Sequence, residues 1–270
     1  FDLDLLGFDS SELDKLLVND EEYLTDEDEV PEPPKEPKSK LGDIYKLGEH
    51  KLMCGDSLIQ HQVESLLKNK QIKLLFTDPP YELTTEGGGV LKKANSMKQI
   101  KNNKVDKFEP KELFLYCNTN IYFHNKPLIK HYIELAEFNK KNYDLCFYKK
   151  ENVAPNYKGH LMTDVEYIAI IGEQDPNKGL EKETYSKLFI GKKDENNDLS
   201  YSKPVKLCEK FIKLYAEKYV LDLFGGSGST LIACEKNNKI CYMMEKNPIF
   251  IDVIIERWEN FTGKKAKKIC

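Results

Sequence analysis

Arginine is almost absent from this 270-residue chain: Arg257 is the one arginine among 41 basic residues. Lysine binds phosphate as a mobile point charge and lacks the planar fork that reads guanine bidentately. Arginine-based readout of bases is therefore largely excluded, while attraction to a polyanion stays open. No run of about 18 apolar residues occurs, and Phe1 to Gly7 alternates with acids instead of pairing a basic start with an apolar stretch. The sequence thus reads as soluble and cytoplasmic, with no membrane partner. The seven cysteines (Cys54, Cys117, Cys146, Cys208, Cys234, Cys241, Cys270) form no CxxC pair and are widely scattered. Neither a disulfide framework nor a metal site is expected, only ordinary buried thiols.

What is present points to a folded domain with an appendage. A hydrophobic content of 40% suffices for a sizeable core and excludes a disordered or fibrous chain. The net charge of −4 hides an asymmetry, because residues 1–40 carry 14 acids against four lysines while the rest carries 37 basic and 31 acidic residues. Residues 1–40, with Pro31, Pro33, Pro34 and Pro37, read as an acidic N-terminal helix and linker, the helix capped by Asp9 or Ser10 and running to Leu17. The basic body, 41–270, could hold a polyanion. In it, short apolar runs alternate with helical patterns, the signature of an α/β domain with a mostly parallel sheet. Strands are expected at 51–54, 72–76, 120–123, 144–148, 165–171, 219–223 and 240–243. Helices fit 58–69, 126–139, 204–217, 228–237 and 248–260. Two polar insertions, 82–110 and 173–200, are too rich in Gly, Lys, Asn and Asp for core.

Two motifs carry chemistry. Asp78-Pro79-Pro80-Tyr81 follows the apolar run Ile72-Lys73-Leu74-Leu75-Phe76. A strand ending in these residues puts a carboxylate, a stiffened main chain and an aromatic ring at the mouth of a sheet. Proline fixes φ and donates no hydrogen bond, so Asp78 and the Pro79 carbonyl make two acceptors suited to an amino group with two hydrogens. Tyr81 offers a face to a flat ring, worth roughly 1–3 kcal/mol per base. The competing reading is a turn with a structural aspartate.

The second motif runs Val220-Leu221-Asp222-Leu223-Phe224-Gly225-Gly226-Ser227-Gly228-Ser229-Thr230, from an apolar strand through glycines into a helix. Glycines admit a ligand to the backbone, and the helix start offers free N–H groups to an anion; a structural Gly-rich turn is the alternative. The spacing is not the dinucleotide fingerprint. One strand later, Glu245 ends Ile240-Cys241-Tyr242-Met243-Met244, where an acid commonly grips ribose hydroxyls. A nucleoside bearing a carboxylate fits this set.

Together, Asp78-Pro79-Pro80-Tyr81 and Asp222-Leu223-Phe224-Gly225-Gly226-Ser227-Gly228-Ser229 resemble the S-adenosylmethionine-dependent amino-DNA methyltransferases over about 41–262. The catalytic motif precedes the cofactor glycines, which is similar to the circularly permuted β-class order. Lys51-Leu52-Met53-Cys54-Gly55-Asp56 resembles the family's strand ending in Gly-Asp, whose acid lies near the cofactor adenine. Ser202-Lys203-Pro204-Val205 resembles the segment that helps hold the methionine part, and Asp164-Val165-Glu166-Tyr167 the one ahead of the late strands. The resemblance implies a Rossmann-like methyltransferase fold with a doubly wound sheet. It implies catalytic roles for Asp78, Pro79, Pro80 and Tyr81. It assigns S-adenosylmethionine to Asp56, Lys203, Asp222, Phe224, Gly226, Ser227, Gly228, Ser229 and Glu245, with no metal.

The partner so implied is DNA, whose target base leaves the duplex to reach the pocket. Asp78 and the Pro79 carbonyl would localise the lone pair of the base's amino group and aim it at the methyl donor. Within this family an aspartate at position 78 is typical of adenine, serine of cytosine amino methylation, and asparagine of glutamine or RNA methylation. Rival readings are a cytosine or RNA enzyme and a catalytically silent DNA-binding subunit. Loop 82–110 is a lid candidate, with Gly87-Gly88-Gly89 and Lys92-Lys93. The target-recognition insert, 173–200, is small for reading a long site, and Leu223 replaces the proline of the family's Asp-Pro-Phe. Residues 1–40 resemble the linker that follows a ParB-like domain in phage and mobile-element proteins. With Phe1 in place of an initiating methionine, an upstream ParB-like domain in a longer protein is the expectation. Family members are often dimers, so a homodimer is also expected.

Overall fold

The computed structural model describes residues 23–79, 116–151, 164–192 and 202–269. Leu74-Leu75-Phe76 shows no polar alternation, the pattern of a strand covered on both faces. It forms β3 (Leu74–Thr77), wholly buried, beside β4 (Thr119–His124), also wholly buried, and β8 (Tyr219–Asp222). With β9 (Ile240–Glu245) and β2 (His50–Cys54) these make a parallel core in the order β2-β9-β8-β3-β4. The full sheet is β10-β1-β2-β9-β8-β3-β4-β6-β5-β7. Its outer strands are β1 (Ile44–Leu47), β5 (Tyr143–Lys150), β6 (Val165–Gly172), β7 (Leu188–Gly191) and β10 (Lys267–Lys268). Only β1 and β6 run against the other eight, so the sheet is mostly parallel, as expected.

Helices cover both faces. α1 (Gln60–Leu67) and α2 (Ile129–Phe138) pack Val63, Leu66, Tyr132 and Leu135 on one side, against Leu75, Tyr122, Leu221 and Tyr242. α3 (Val205–Tyr215), α4 (Ser229–Lys236) and α5 (Pro248–Thr262) bury Phe211, Ile232, Ile254 and Trp258 on the other, against Leu74, Phe76, Ile121 and Met243. α5 starts where Asn247 Oδ1 accepts the Ile249 N–H at 3.0 Å with Pro248 next in line, and stops at Gly263 (φ +70°). From β8 the chain crosses through α4 to β9 on one side. From β3 it proceeds to β4 on the other. The crevice between the carboxyl ends of β8 and β3 is therefore a topological switch point, where open α/β sheets bind ligands.

All seven expected strands and all five helices are present, with shifted ends. Lys68, in the left-handed region at φ +46°, stops α1 at Leu67, and a 3-10 turn over Lys126–Leu128 precedes α2. Strands β1, β7 and β10 were not expected. They lie at or next to the sheet edges, and pairing, not periodicity, makes them strands. β7 falls inside 173–200, the insert whose composition is too polar for core. It pairs with β5 and leaves Leu188 and Ile190 44% and 52% exposed at the edge. The lid candidate 82–110, residues 193–200 and the helix ending at Leu17 lie outside the described residues. Residues 23–40, read as linker, lie against α3, α4 and α5. No helix among the described residues is long and apolar enough to cross a membrane. Six of the cysteines are buried free thiols, and burial pushes Cys54 up to about 12.

A polar knot joins β2, α4 and α5 away from the crevice. His50 Nδ1 accepts the Cys241 N–H at 2.9 Å, which leaves the ring proton on Nε2, 2.6 Å from Glu235 Oε2. Trp258 Nε1 donates to the same oxygen at 2.9 Å, and Lys264 donates to Oε1 at 3.0 Å. Against the upward push of burial, these hydrogen bonds hold the Glu235 carboxyl down at about 2. A carboxyl so depressed stabilises the fold fully above its usual pKa and loses that contribution as pH falls through about 2. Glu235→Ala is expected to cost about 3 kcal/mol at pH 7, measured by urea denaturation, and much less at pH 2.

Candidate active site

Because β2, β9, β8 and β3 are parallel, the residues after each of them gather at one edge of the sheet. Asp78 leaves β3, the glycine loop leaves β8, Glu245 closes β9, and Asp56 follows β2. Across the switch point Thr77 Oγ1 donates to Asp222 Oδ1 at 2.6 Å, and the Phe224 N–H, 3.1 Å from each oxygen, completes a buried latch. Burial pushes the Asp222 carboxyl up to about 6, more than the hydrogen bonds from Thr77, Thr230 and Phe224 pull it down. This latch fixes the first turn of the glycine loop to the end of the strand that carries Asp78.

Asp78 stands in a row of alternating charge. Its Oδ2 is bonded by the Lys203 ammonium, which also lies 3.2 Å from Glu166 Oε2, and Glu166 Oε1 is paired with Lys150. Lys203 is only 10% exposed and sits 5.0 Å over the Phe123 ring. Burial raises the Asp78 carboxyl; Lys203 pulls the other way and Glu166 adds to the rise. Glu166 is also pushed up by burial, yet Lys203 and Lys150 together hold it below the usual carboxylate range. Asp78 Oδ1 is buried and has no hydrogen-bond partner among the described residues. A buried carboxylate oxygen without a donor is costly, and it marks where an N–H group of a ligand would be welcome.

The glycine loop is held from behind and open in front. Gly226 has φ +53°, and a Cβ there would meet only Phe224 O, at 3.9 Å. Gly228 has φ +88°, and its Cβ would press on Ile254 at 3.2 Å. The backbone is thereby left bare at Gly226, where a ligand can approach it, while at Gly228 the missing Cβ makes room for Ile254 of α5. Gly226 N–H donates to Glu245 Oε2 at 2.9 Å and Asn247 N–H to Oε1 at 2.8 Å. Burial nevertheless pushes the Glu245 carboxyl up to about 7. Asp56 accepts from the Leu58 N–H at 3.0 Å and pairs with Lys246 at 2.8 Å. The Ser202 hydroxyl lies 3.0 Å from Ser227 Oγ and 3.2 Å from Ser229 Oγ, and Arg257 Nη1 donates to the Ser227 carbonyl at 3.1 Å.

The structure thus brings Asp78, Pro79, Asp222, Phe224, Gly226, Ser227, Gly228, Ser229, Glu245 and Asp56 to one edge, with Lys203 among them. Pro80 and Tyr81 lie outside the described residues. Lys203, which the resemblance gives to the methionine part, has its ammonium on Asp78 and Glu166. Sequence reasoning missed Thr77, Lys150 and Arg257, and it quoted Glu166 without a role. No local pattern marks these four, because their partners are distant in sequence.

Residues 72–256 match the N6/N4 DNA methylase family profile, and residues 1–41 match the ParB-methyltransferase HTH domain. The segment read as a linker after a ParB-like domain therefore itself matches a domain that accompanies such methyltransferases. No curated protein sequence matches the chain. Among solved structures, the M1.HpyAVI–SAM complex superposes with a TM-score of 0.54 at 18% identity, covering 75% of this chain and 96% of that one. PvuII DNA methyltransferase, described as cytosine-N4-specific, gives 0.51 at 17% identity over 85% and 90%. A putative DNA modification methylase from Thermus thermophilus, complexed with S-adenosyl-L-methionine, gives 0.53 at 18% identity over 80% and 97%. These likenesses show the methyltransferase fold. The family profile spans well over half of the sequence, and the chain belongs to the N6/N4 DNA methylase family.

Proposed function

We propose that this protein transfers a methyl group from S-adenosylmethionine to the exocyclic amino group of a flipped adenine in DNA. The observation that carries the reading is Asp78 Oδ1, a buried acceptor without a donor among the described residues, at the mouth of the switch-point crevice. The amino nitrogen of adenine is a poor nucleophile, because its lone pair is delocalised into the ring. Asp78 Oδ1 and the Pro79 carbonyl accept its two hydrogens and so localise that pair on nitrogen. Lys203 occupies Oδ2 and turns the other carboxylate oxygen to the base. Asp78, its proton affinity raised by burial, is placed to accept the proton that the nitrogen sheds.

When bound, S-adenosylmethionine supplies an electrophilic methyl group. The bare backbone at Gly226, with Ser227, Gly228 and Ser229 beside it, fits its methionine end. Glu245 would hold the ribose hydroxyls and Asp56 would lie near the cofactor's adenine, with Phe224 also in the cofactor site. In chain order β3, with Asp78, precedes β8, with the glycine loop, which we read as the permuted β-class arrangement. The carboxylate at position 78, in place of a serine, favours adenine over cytosine.

The test is mass spectrometry of nucleosides from DNA of cells expressing the chain, beside cells expressing Asp78→Ala. Methylated adenine only with the wild type is the expected result. Amino-methylated cytosine would keep the acceptor chemistry and overturn the choice of base. Methylated adenine confined to RNA would overturn the substrate.

A further inference from the structure

The acidic segment 23–40 meets the methylase body at points that converge on the cofactor loop. At one end Tyr23 stacks on Phe261 with ring centroids 4.1 Å apart, and the Leu24 N–H donates to the Phe261 carbonyl at 3.0 Å. At the other, Asp252 accepts from the Lys38 N–H at 2.6 Å and the Ser39 N–H at 3.2 Å. Between them the Glu27 side chain pairs with Lys236 of α4, and Asp28 Oδ1 accepts the Val205 N–H at 2.8 Å. Val205 opens α3 two residues after Lys203, so this contact pins the turn that delivers Lys203 to Asp78. Arg257 makes the remaining link. Its Nη2 donates to the Glu27 carbonyl at 2.8 Å, while Nη1 donates to the Ser227 carbonyl at 3.1 Å and lies 3.3 Å from the hydroxyls of Ser227 and Ser229.

The residue type is informative. A chain that otherwise uses lysine for positive charge places its single arginine here, 2% exposed. The guanidinium is planar and has separate donors on its two terminal nitrogens, so one side chain can tie two backbones together in a fixed geometry. An ammonium on a flexible stem cannot. The two contacts have different owners, one on the strap and one on the glycine loop.

We infer that Arg257 and Asp28 are positioning residues through which the strap 23–40 holds the glycine loop and the Lys203 turn in their ligand-binding shape, so that strap docking sets cofactor affinity. The inference rests on the reading that the Gly226 to Ser229 loop holds S-adenosylmethionine. The strap lies within the segment that matches the HTH domain, so through it that segment touches the cofactor loop. A coupling of this kind is reciprocal: what docking does for the cofactor, the cofactor does for docking.

The experiment uses the full chain with Tyr23→Ala/Asp252→Ala, whose sites lie on the strap anchors away from the crevice, and separately with Arg257→Lys. S-adenosylmethionine affinity is measured by calorimetry at 10 °C, turnover at saturating cofactor, and strap release by tryptic cleavage at Lys35 and Lys38. The anchor double variant is expected to bind the cofactor at least about fivefold more weakly, with a smaller fall in kcat through the Lys203 turn, and Arg257→Lys to weaken binding at least as much. In the wild type, cofactor is expected to slow cleavage at Lys35 and Lys38 by a similar factor. A released strap with unchanged cofactor affinity would overturn the inference. If the double variant keeps its strap docked, Arg257→Lys decides: unchanged affinity overturns the inference, and a fivefold loss supports it. Should Arg257→Lys fail to fold, the double variant decides. Glu245→Ala in the same assay separates the two readings, since cofactor binding unaffected by that change would sink the cofactor-site assignment itself.

Discussion

Asp78→Ala is expected to bind S-adenosylmethionine within about threefold of the wild type and to lose at least about 10³-fold in kcat. The contacts in which Asp78 takes part do not include the glycine loop, which is latched by Thr77 and Asp222 and held by Glu245. Lys203 keeps Glu166 as a carboxylate partner after the change, so no buried cation is stranded and the fold survives. What is lost is the charged acceptor for one amino hydrogen, and with it the localisation of the lone pair in the transition state. Asp78→Asn keeps the shape and a neutral acceptor oxygen, so a smaller loss of about 10²-fold is expected. Single-turnover methylation of a duplex with labelled cofactor, beside calorimetric titration of the same protein, separates the two effects. Turnover unchanged in Asp78→Ala would remove Asp78 from the chemistry. A parallel loss of cofactor binding would make Asp78 a structural support of the loop.

Much of this site was legible in the sequence because its parts are local. A buried strand followed by Asp78-Pro79-Pro80, and another followed by Gly225-Gly226-Ser227-Gly228, carry their strand, turn and helix signals within a dozen residues each. The parallel core was legible for the same reason: Leu74 to Phe76 is a continuous apolar run and Val220 to Leu223 is broken only by Asp222, the pattern of strands covered on both faces. The missed parts depend on distant partners. β7 is a strand because Phe147 to Lys150 offers it a register, and Lys267-Lys268 because Tyr45 and Lys46 do. The acidity of residues 23–40 suggested a solvated linker, yet Glu27 and Asp28 find Lys236 and the first N–H of α3 more than 170 residues away. Composition records that charge is present and cannot record where its partner lies.

Glu245→Gln is expected to weaken S-adenosylmethionine binding about 10–100-fold at pH 8 and to abolish most of the pH dependence that the wild type shows. The argument starts from the carboxyl being pushed up to about 7 by burial, beyond what the Asn247 and Gly226 N–H groups pull down, with the nearby Asp222 charge adding to the rise. Two ribose hydroxyls donating to a carboxylate contribute roughly 1.5–3 kcal/mol each, and much less when the acceptor is a neutral acid or amide. About nine-tenths of Glu245 is ionised at pH 8 and about one-tenth at pH 6, so wild-type affinity is expected to fall about tenfold over that interval. The stability of the ligand-free protein runs the opposite way. A carboxyl with a raised folded-state pKa holds its proton more tightly than the unfolded chain does, so its ionisation destabilises the fold as pH rises from the usual carboxylate value through 7. Asp222, pushed up to about 6, has the same sign. The ligand-free protein should therefore melt higher at pH 6 than at pH 8, while the rise in Tm on adding cofactor should be larger at pH 8. Thermal melts of wild type and Glu245→Gln, with and without cofactor at both pH values, give all four numbers. A cofactor-induced rise equal at the two pH values in the wild type would show that Glu245 does not hold the ribose as a carboxylate, and Glu245→Gln separates its part from that of Asp222, which also changes charge in this window.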